Sequence, residues 1–362
     1  MRWVLCWLAL LGMALPKAEA WSNKEHIQLT RIAAERLMAD PTTPADMRQW
    51  LARAAGPLMD AAGERDYLLH NRVGSFPRGV DGILFWCTVP DMHAIADKPE
   101  SKVDPFGVHE GKLHYIDLEL FMSDPAQRTY ADDLSHQPKP SDIPRNMADP
   151  RFKTAGMLPF TIDHAYGQLV KAIRDGRLDD APGKYPRDEH AARWAGYLAH
   201  YLQDNTQPHH ATEDYKSRSY FPGIDSKQAP DIHADMEYRL VDDDRNDYAD
   251  LRLALWDSFS EELRQFKDPV RTKDLWQATL EVSLISYDAL PIIGRAAKIA
   301  YPQAGPDGPG PWNAEAFFQY TEQWRGENVT VLKLKAKQWA WAVVRVEEVW
   351  RRAWEEARAR GR

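Results

Sequence analysis

Apolar residues recur at three- and four-residue spacings along most of this chain, and that period commits it to helices. Over residues 24–38 they are Ile27, Leu29, Ile32, Ala33 and Leu37. Further amphipathic stretches cover roughly 46–60, 163–176, 188–203, 231–241, 248–266 and 272–299. Alternating runs of β-branched residues, which a sheet would need, are nearly absent. The expected fold class is therefore mostly α. Hydrophobic residues at 44% against 28% charged ones suit a folded core rather than a disordered chain. A length of 362 residues allows two domains at most, or one large one.

Between the helices lie polar loops rich in Pro, Asp and Gly, at 72–82, 97–111, 123–158 and 212–230. Loops of that length are uncommon inside a compact domain unless function or a ligand pins them, and a metal cluster would do so. The stretch Pro302–Pro311 reads as a linker. Beyond it, residues 331–358 read as one helix with Trp339, Val343, Val346, Trp350 and Trp354 on one face. That stripe is most simply a core-packing face. Arg345, Arg351 and Arg352 make a membrane-surface helix the sharper alternative, and with it a peripheral membrane contact.

At the other end, Arg2 precedes the uncharged apolar run Val4–Leu15, and Ala18-Glu19-Ala20 follows it. Twelve residues are too few to span a bilayer as a helix, but they suit a signal peptide with a small-x-small cleavage site. Cleavage after Ala20 would leave 342 residues beginning at Trp21, with 44 Lys and Arg against 53 Asp and Glu, a formal charge of −9. An exported protein, periplasmic or secreted, is expected. Of two cysteines only Cys87 would remain, which excludes a disulfide-stapled scaffold. The expected layout is a signal peptide at 1–20, a main domain at 21–300, a Pro/Gly linker at 301–313 and a helical C-terminal extension at 314–362.

The chemistry concentrates in Gly196–His210, GYLAHYLQDNTQPHH. His200 and Asp204 are four residues apart on a helix, so both project from one face. Pro208 then stops or bends that helix, with His210 just beyond. A second pair, His233 and Glu237, repeats the spacing within 40 residues. One such pair is common on solvated helix faces; two, the first continuing into Pro-His-His, point to zinc, which takes imidazole nitrogen and carboxylate oxygen. Near the expected mature N-terminus, Ser22 and Glu25 form a capping-box pattern that starts a helix and puts His26 one turn inside it. A free α-amine and carbonyl at Trp21 would lie close by and could chelate the same metal.

These residues resemble a family. His200-x3-Asp204-x5-His210 in the setting HYLxDxxQPxH is similar to the signature of the zinc-dependent phospholipase C and single-strand-specific nuclease superfamily. Processing to an N-terminal Trp is similar too. The resemblance covers the mature chain to about residue 300 and implies a multi-helix domain with long loops around a cleft holding three zinc ions. Carried over residue by residue, it implies that Trp21, through its backbone nitrogen and oxygen, binds one zinc with His26. Asp204 would bridge that zinc to a second one held by Asp91, His114 and His200. The third would be held by His210, His233 and Glu237. The gap from Asp91 to His114 is 23 residues, longer than the family's, which leaves Asp97 as the alternative. His109 is the rival of His114, and His209 falls out of register.

The resemblance implies attack on a phosphodiester by a hydroxide generated between the zinc pair, with Asp204 and Asp91 as the catalytic carboxylates and the outer zinc stabilising the phosphate. The substrate is then a phospholipid or a single-stranded nucleic acid, and no protein partner is indicated. Glu at 237 and the lack of disulfides lean to phospholipase C. The five-residue step from Trp21 to His26, and Lys24 where the phospholipases carry an acid, lean to nuclease. The formal charge of −9 disfavours a broad grip on nucleic acid. Tyr115, Tyr201, Tyr215, Tyr220 and Phe221 are candidates to stack a base or line a lipid pocket. The balance narrowly favours phospholipase C. An exported zinc-binding protein without turnover stands as the reading from a different class.

Overall fold

Ser22 starts the first helix. Its hydroxyl accepts from the Glu25 amide, and the Glu25 carboxylate accepts from the Ser22 amide at 2.8 Å, so two donors that a helix start leaves open are satisfied reciprocally. This helix is α1 (Asn23–Ala39) of a computed structural model that describes residues 21–56, 58–70, 80–95, 102–103, 106–122, 137–178, 190–242 and 248–359. The expected signal peptide lies outside the described residues.

The described chain is mostly helical, as its period requires. After α1 come α2 (Ala45–Ala54), α3 (Ala61–His70), α4 (Gly82–Trp86) and α5 (Val89–Ile95). The stretch expected at 46–60 ends early because Gly56 takes a φ of 76°, in close approach to the Asp81 carbonyl. Helices α4 and α5 have five and seven residues, too few to show a period in the sequence. Next are α6 (Phe152–Ala155), α7 (Leu158–Arg174), α8 (Ala191–Asp204), α9 (Ile232–Met236), α10 (Arg239–Asp242) and α11 (Ala249–Gln265). The long stretch at 272–299 divides into α12 (Leu275–Tyr287) and α13 (Leu290–Ala300), since Pro291 has no amide hydrogen to continue a helix but suits the start of one. Helices α14 (Ala314–Gln319) and α15 (Val331–Ala359) complete the series.

Two small antiparallel hairpins interrupt the helices: β1 (Lys102–Val103) with β2 (Val108–His109), and β3 (Thr321–Trp324) with β4 (Glu327–Thr330). The second turns at Arg325 and Gly326, with φ of 48° and 90°. Positive φ at both positions is what a two-residue hairpin loop demands.

Helix α15, 29 residues long, lies against α1, α7, α8 and α11. Its face of Trp339, Val343, Val346, Trp350 and Trp354 is buried in the same core as residues of α1, α7 and α8. The Trp350 indole donates to the Ala195 carbonyl of α8 at 3.1 Å. Trp354 stacks on Trp50 of α2 with ring centroids 5.2 Å apart, and donates to Asp46 at 3.1 Å. The aromatic stripe is therefore inside the protein, which corrects the membrane-surface reading of it. Among the described residues no helix is long and apolar enough to cross a membrane.

If α15 is part of the core, Trp350→Ala leaves a cavity against α8 and costs about 3–5 kcal/mol of stability in denaturant unfolding. A loss below about 0.5 kcal/mol, the usual effect of a surface change, would make α15 a peripheral appendage.

Candidate metal centre

Helix α8 is the element on which the candidate ligands assemble. The His190 side chain caps its start by accepting from the Arg193 amide at 3.2 Å. Gly196 sits one turn before His200 at the crossing with α4. A Cβ there would stand 2.5 Å from the Trp86 Cβ and 2.7 Å from the Trp86 carbonyl carbon, so only glycine allows this approach. The approach brings the Cys87 carbonyl to His200, whose Nδ1 donates to it at 2.8 Å. Helix α5 begins two residues later and delivers Asp91 to the same place.

Five of the expected ligands converge there: His26, Asp91, His114, His200 and Asp204, each fully buried. Asp204 Oδ2 lies 2.9 Å from His114 Nδ1 and 3.3 Å from His200 Nε2, and those two nitrogens are 3.0 Å apart. Asp91 Oδ1 stands 3.8 Å from the first and 3.7 Å from the second. These spacings scatter about the edge of a tetrahedron of ligands, ~3.3 Å for metal–ligand bonds of ~2.0 Å. On the other side, His26 Nε2 lies 3.5 Å from Asp204 Oδ1 and 3.8 Å from Asp91 Oδ2. Each carboxylate thus turns one oxygen toward His114 and His200 and the other toward His26. Asp97, the alternative to Asp91, lies outside the described residues.

Hydrogen bonds set the tautomers. A carbonyl oxygen can only accept, so the proton of His200 is on Nδ1 and its Nε2 presents a lone pair. The same holds for His26, whose Nδ1 donates to Gln203 Oε1 at 2.6 Å, while the Gln203 amide donates to Thr30 at 2.8 Å. It holds for His210, whose Nδ1 donates to the His114 carbonyl at 2.7 Å. Orienting partners of this kind are what metal-binding imidazoles ordinarily have.

Burial holds His26 and His200 below the usual imidazole pKa, so both are neutral. Burial alone would raise Asp204, but His200 and His114 hold its carboxyl well below the usual carboxylate range. Neutral imidazole and ionised carboxylate are the forms that bind a metal. Among the described residues no Lys or Arg pairs with Asp204, whose ion contacts are to histidines. An ionised buried carboxylate needs a cation. Moreover, His26 Nε2 and Asp204 Oδ1, which face each other across the centre, are buried without a hydrogen bond. The buried group could therefore hold a metal ion.

The remaining expected residues surround this core. His233 Nε2 and Glu237 Oε2 are 2.8 Å apart, yet outside hydrogen-bond geometry, and the His210 ring is 5.2 Å from that of His233. Ligand atoms of this outer trio are not within the close mutual spacing of the inner groups. His210 and His233 keep 4% and 6% exposure and Glu237 1%, against 0% for the inner five. Trp21 is buried beside the centre, its indole donating to the Gln203 carbonyl at 2.9 Å. His109 instead accepts from the Gly111 amide at 3.1 Å, and His209 stacks on His233 and faces the Ser217 hydroxyl at 3.1 Å. Of the aromatic candidates, Tyr201, Tyr220 and Phe221 are buried in the core, and Tyr115 and Tyr215 are half-buried. The Cys87 carbonyl and Gln203 were not anticipated. A backbone acceptor carries no residue signature, and Gln203 stood in the quoted motif without an assigned role.

Compared with known protein families, the chain matches none, and a search of curated proteins likewise finds no match.

If these side chains hold a metal, the protein retains a transition metal through dialysis, and chelation lowers its melting temperature by several degrees, as expected when a ligand that binds only the folded state is removed. Equal melting temperatures with and without chelator, and no metal by elemental analysis, would contradict it. Gly196→Ala pushes α4 off α8, costs about 1–3 kcal/mol, and lowers metal retention because His200 loses the Cys87 carbonyl. Undiminished retention would separate that crossing from the centre.

Proposed function

We propose that the chain is an exported zinc-dependent phosphodiester hydrolase, most like the phospholipases C, with the fold of the zinc-dependent phospholipase C and single-strand-specific nuclease superfamily. The observation that carries this reading is the split of Asp91 and Asp204, each with one oxygen toward His26 and one toward His114 and His200. Carboxylates arranged so are able to bridge two cations a few ångströms apart, the arrangement of two-metal phosphoryl-transfer sites. His26, with the Trp21 backbone, would hold one zinc; Asp91, His114 and His200 a second; His210, His233 and Glu237 a third. Zinc bound there supplies Lewis acidity toward a phosphoryl oxygen and lowers the pKa of a coordinated water.

The chain's own residues do the positioning. Cys87, Gln203 and His114 aim the imidazoles of His200, His26 and His210 through their oxygens. The substrate phosphate approaches from the side of His210 and His233, the more exposed ligands. There Tyr215 stands edge-on to His233 with ring centroids 6.0 Å apart. Lys216 beside it is half-buried and paired with Asp231, a cation at the edge where a phosphate would enter.

A specific observation keeps the nuclease reading as the second one. Lys24 is buried, with its ammonium donating to the carbonyls of Leu68 at 2.8 Å and Val241 at 3.0 Å. It is committed to joining α1 to α3 and α10, so the position holds no acidic group for a choline headgroup.

Zinc-loaded protein offered phosphatidylcholine and single-stranded DNA side by side should release diacylglycerol and leave the DNA intact. The reverse result would establish the nuclease reading, and turnover of neither would favour the zinc-binding protein without activity. Asp204→Asn replaces a bridging carboxylate with a neutral amide and should lower the rate by at least about 100-fold, roughly 3 kcal/mol. A wild-type rate in that variant would remove Asp204 from the centre.

A further inference from the structure

Lys335 lies in the second turn of α15, in the part of the chain beyond the family resemblance, and is fully buried. Its ammonium has three donors and no acceptor, and three acceptors meet it: Glu25 Oε1 at 2.5 Å, the Met236 carbonyl at 2.7 Å and the Glu237 carbonyl at 2.8 Å. The rings of Trp21 and Trp339 close over it, with centroids 4.7 and 5.1 Å from the nitrogen, in cation–π contact.

The two sides of this contact belong to different parts of the metal centre. Glu25 is the third residue of α1 and completes its capping box, its other oxygen accepting from the Ser22 amide, and the next residue in the chain is His26. Met236 and Glu237 close α9, whose open C-terminal carbonyls favour a cation. On that five-residue helix sits His233, and Glu237 is its cap. The ammonium spans directly from the α1 start to the α9 end.

We propose that Lys335 is a positioning residue for the metal centre: one buried ammonium, supplied by the C-terminal helix, holds the segment carrying His26 in register with the segment carrying His233 and Glu237. This rests on the reading of those side chains as metal ligands. Partners that orient ligands without touching the metal typically change its affinity about 10–100-fold when removed.

The test is zinc affinity of the full chain, measured by competition with a chelating dye, together with the d–d absorption of the cobalt-substituted protein. Lys335→Met should bind zinc at least about tenfold more weakly and show an altered cobalt spectrum. Val343→Ala, a buried change about two turns further along the same helix, supplies the comparison: it should lose stability but keep wild-type affinity. Should Lys335→Met fail to fold, Glu25→Gln removes the carboxylate from the same contact and should weaken zinc in the same way. Wild-type affinity and spectrum in the folded Lys335 variant, or in Glu25→Gln in its place, would overturn the proposal. So would an equal loss in Val343→Ala. Absence of zinc from the wild-type protein would overturn the metal reading itself, and this inference with it.

Discussion

An ionised carboxylate in a protein core without a cation beside it is costly enough that the group ordinarily protonates or finds a partner. Asp204 is such a group: fully buried, held ionised, and surrounded by imidazoles rather than by Lys or Arg. Much of the architecture serves to bring those imidazoles to it. Segments from α1, α4, α5, α8 and the turn at His114 meet at one point, and the polar atoms they bring outnumber the hydrogen bonds available to them. A cation bound there would resolve that excess, and the proposed zinc suits a donor set of nitrogen and carboxylate oxygen.

The helices around the centre are arranged to make it rigid. Glycine at 196 lets α4 touch α8 backbone to side chain, and the indole of Trp350 ties α15 to the turn of α8 just before it. The backbone links Ile116 to His210 at 2.9 Å, so the segments carrying His114 and His210 cannot move independently. Ligand groups held by such contacts lose little freedom on binding a metal or a substrate phosphate.

Long helices, and the candidate ligands that ride on them, were legible in the sequence. His200 with Asp204, and His233 with Glu237, announce themselves by helical spacing, and Ser22 with Glu25 announces the start of α1. Helices α4 and α5 were not legible, being shorter than the window in which a period can be seen. Asp91 could be named only as one of two candidates, because its place depends on how a short helix docks rather than on local pattern. The backbone oxygens that aim His200 and His210 left no trace either, since any residue can supply a carbonyl. Lys335 had the least signal of all: it reads as one more lysine on an amphipathic helix, and its burial follows from tertiary packing alone.

Anomalous diffraction at the zinc edge from crystals of the processed protein tests the central claim most directly. The account predicts a peak bonded to an oxygen of Asp204 and to His200 and His114, and a second bonded to the other Asp204 oxygen and to His26. A map without zinc peaks, with Asp204 protonated or paired to an organic cation instead, would contradict it.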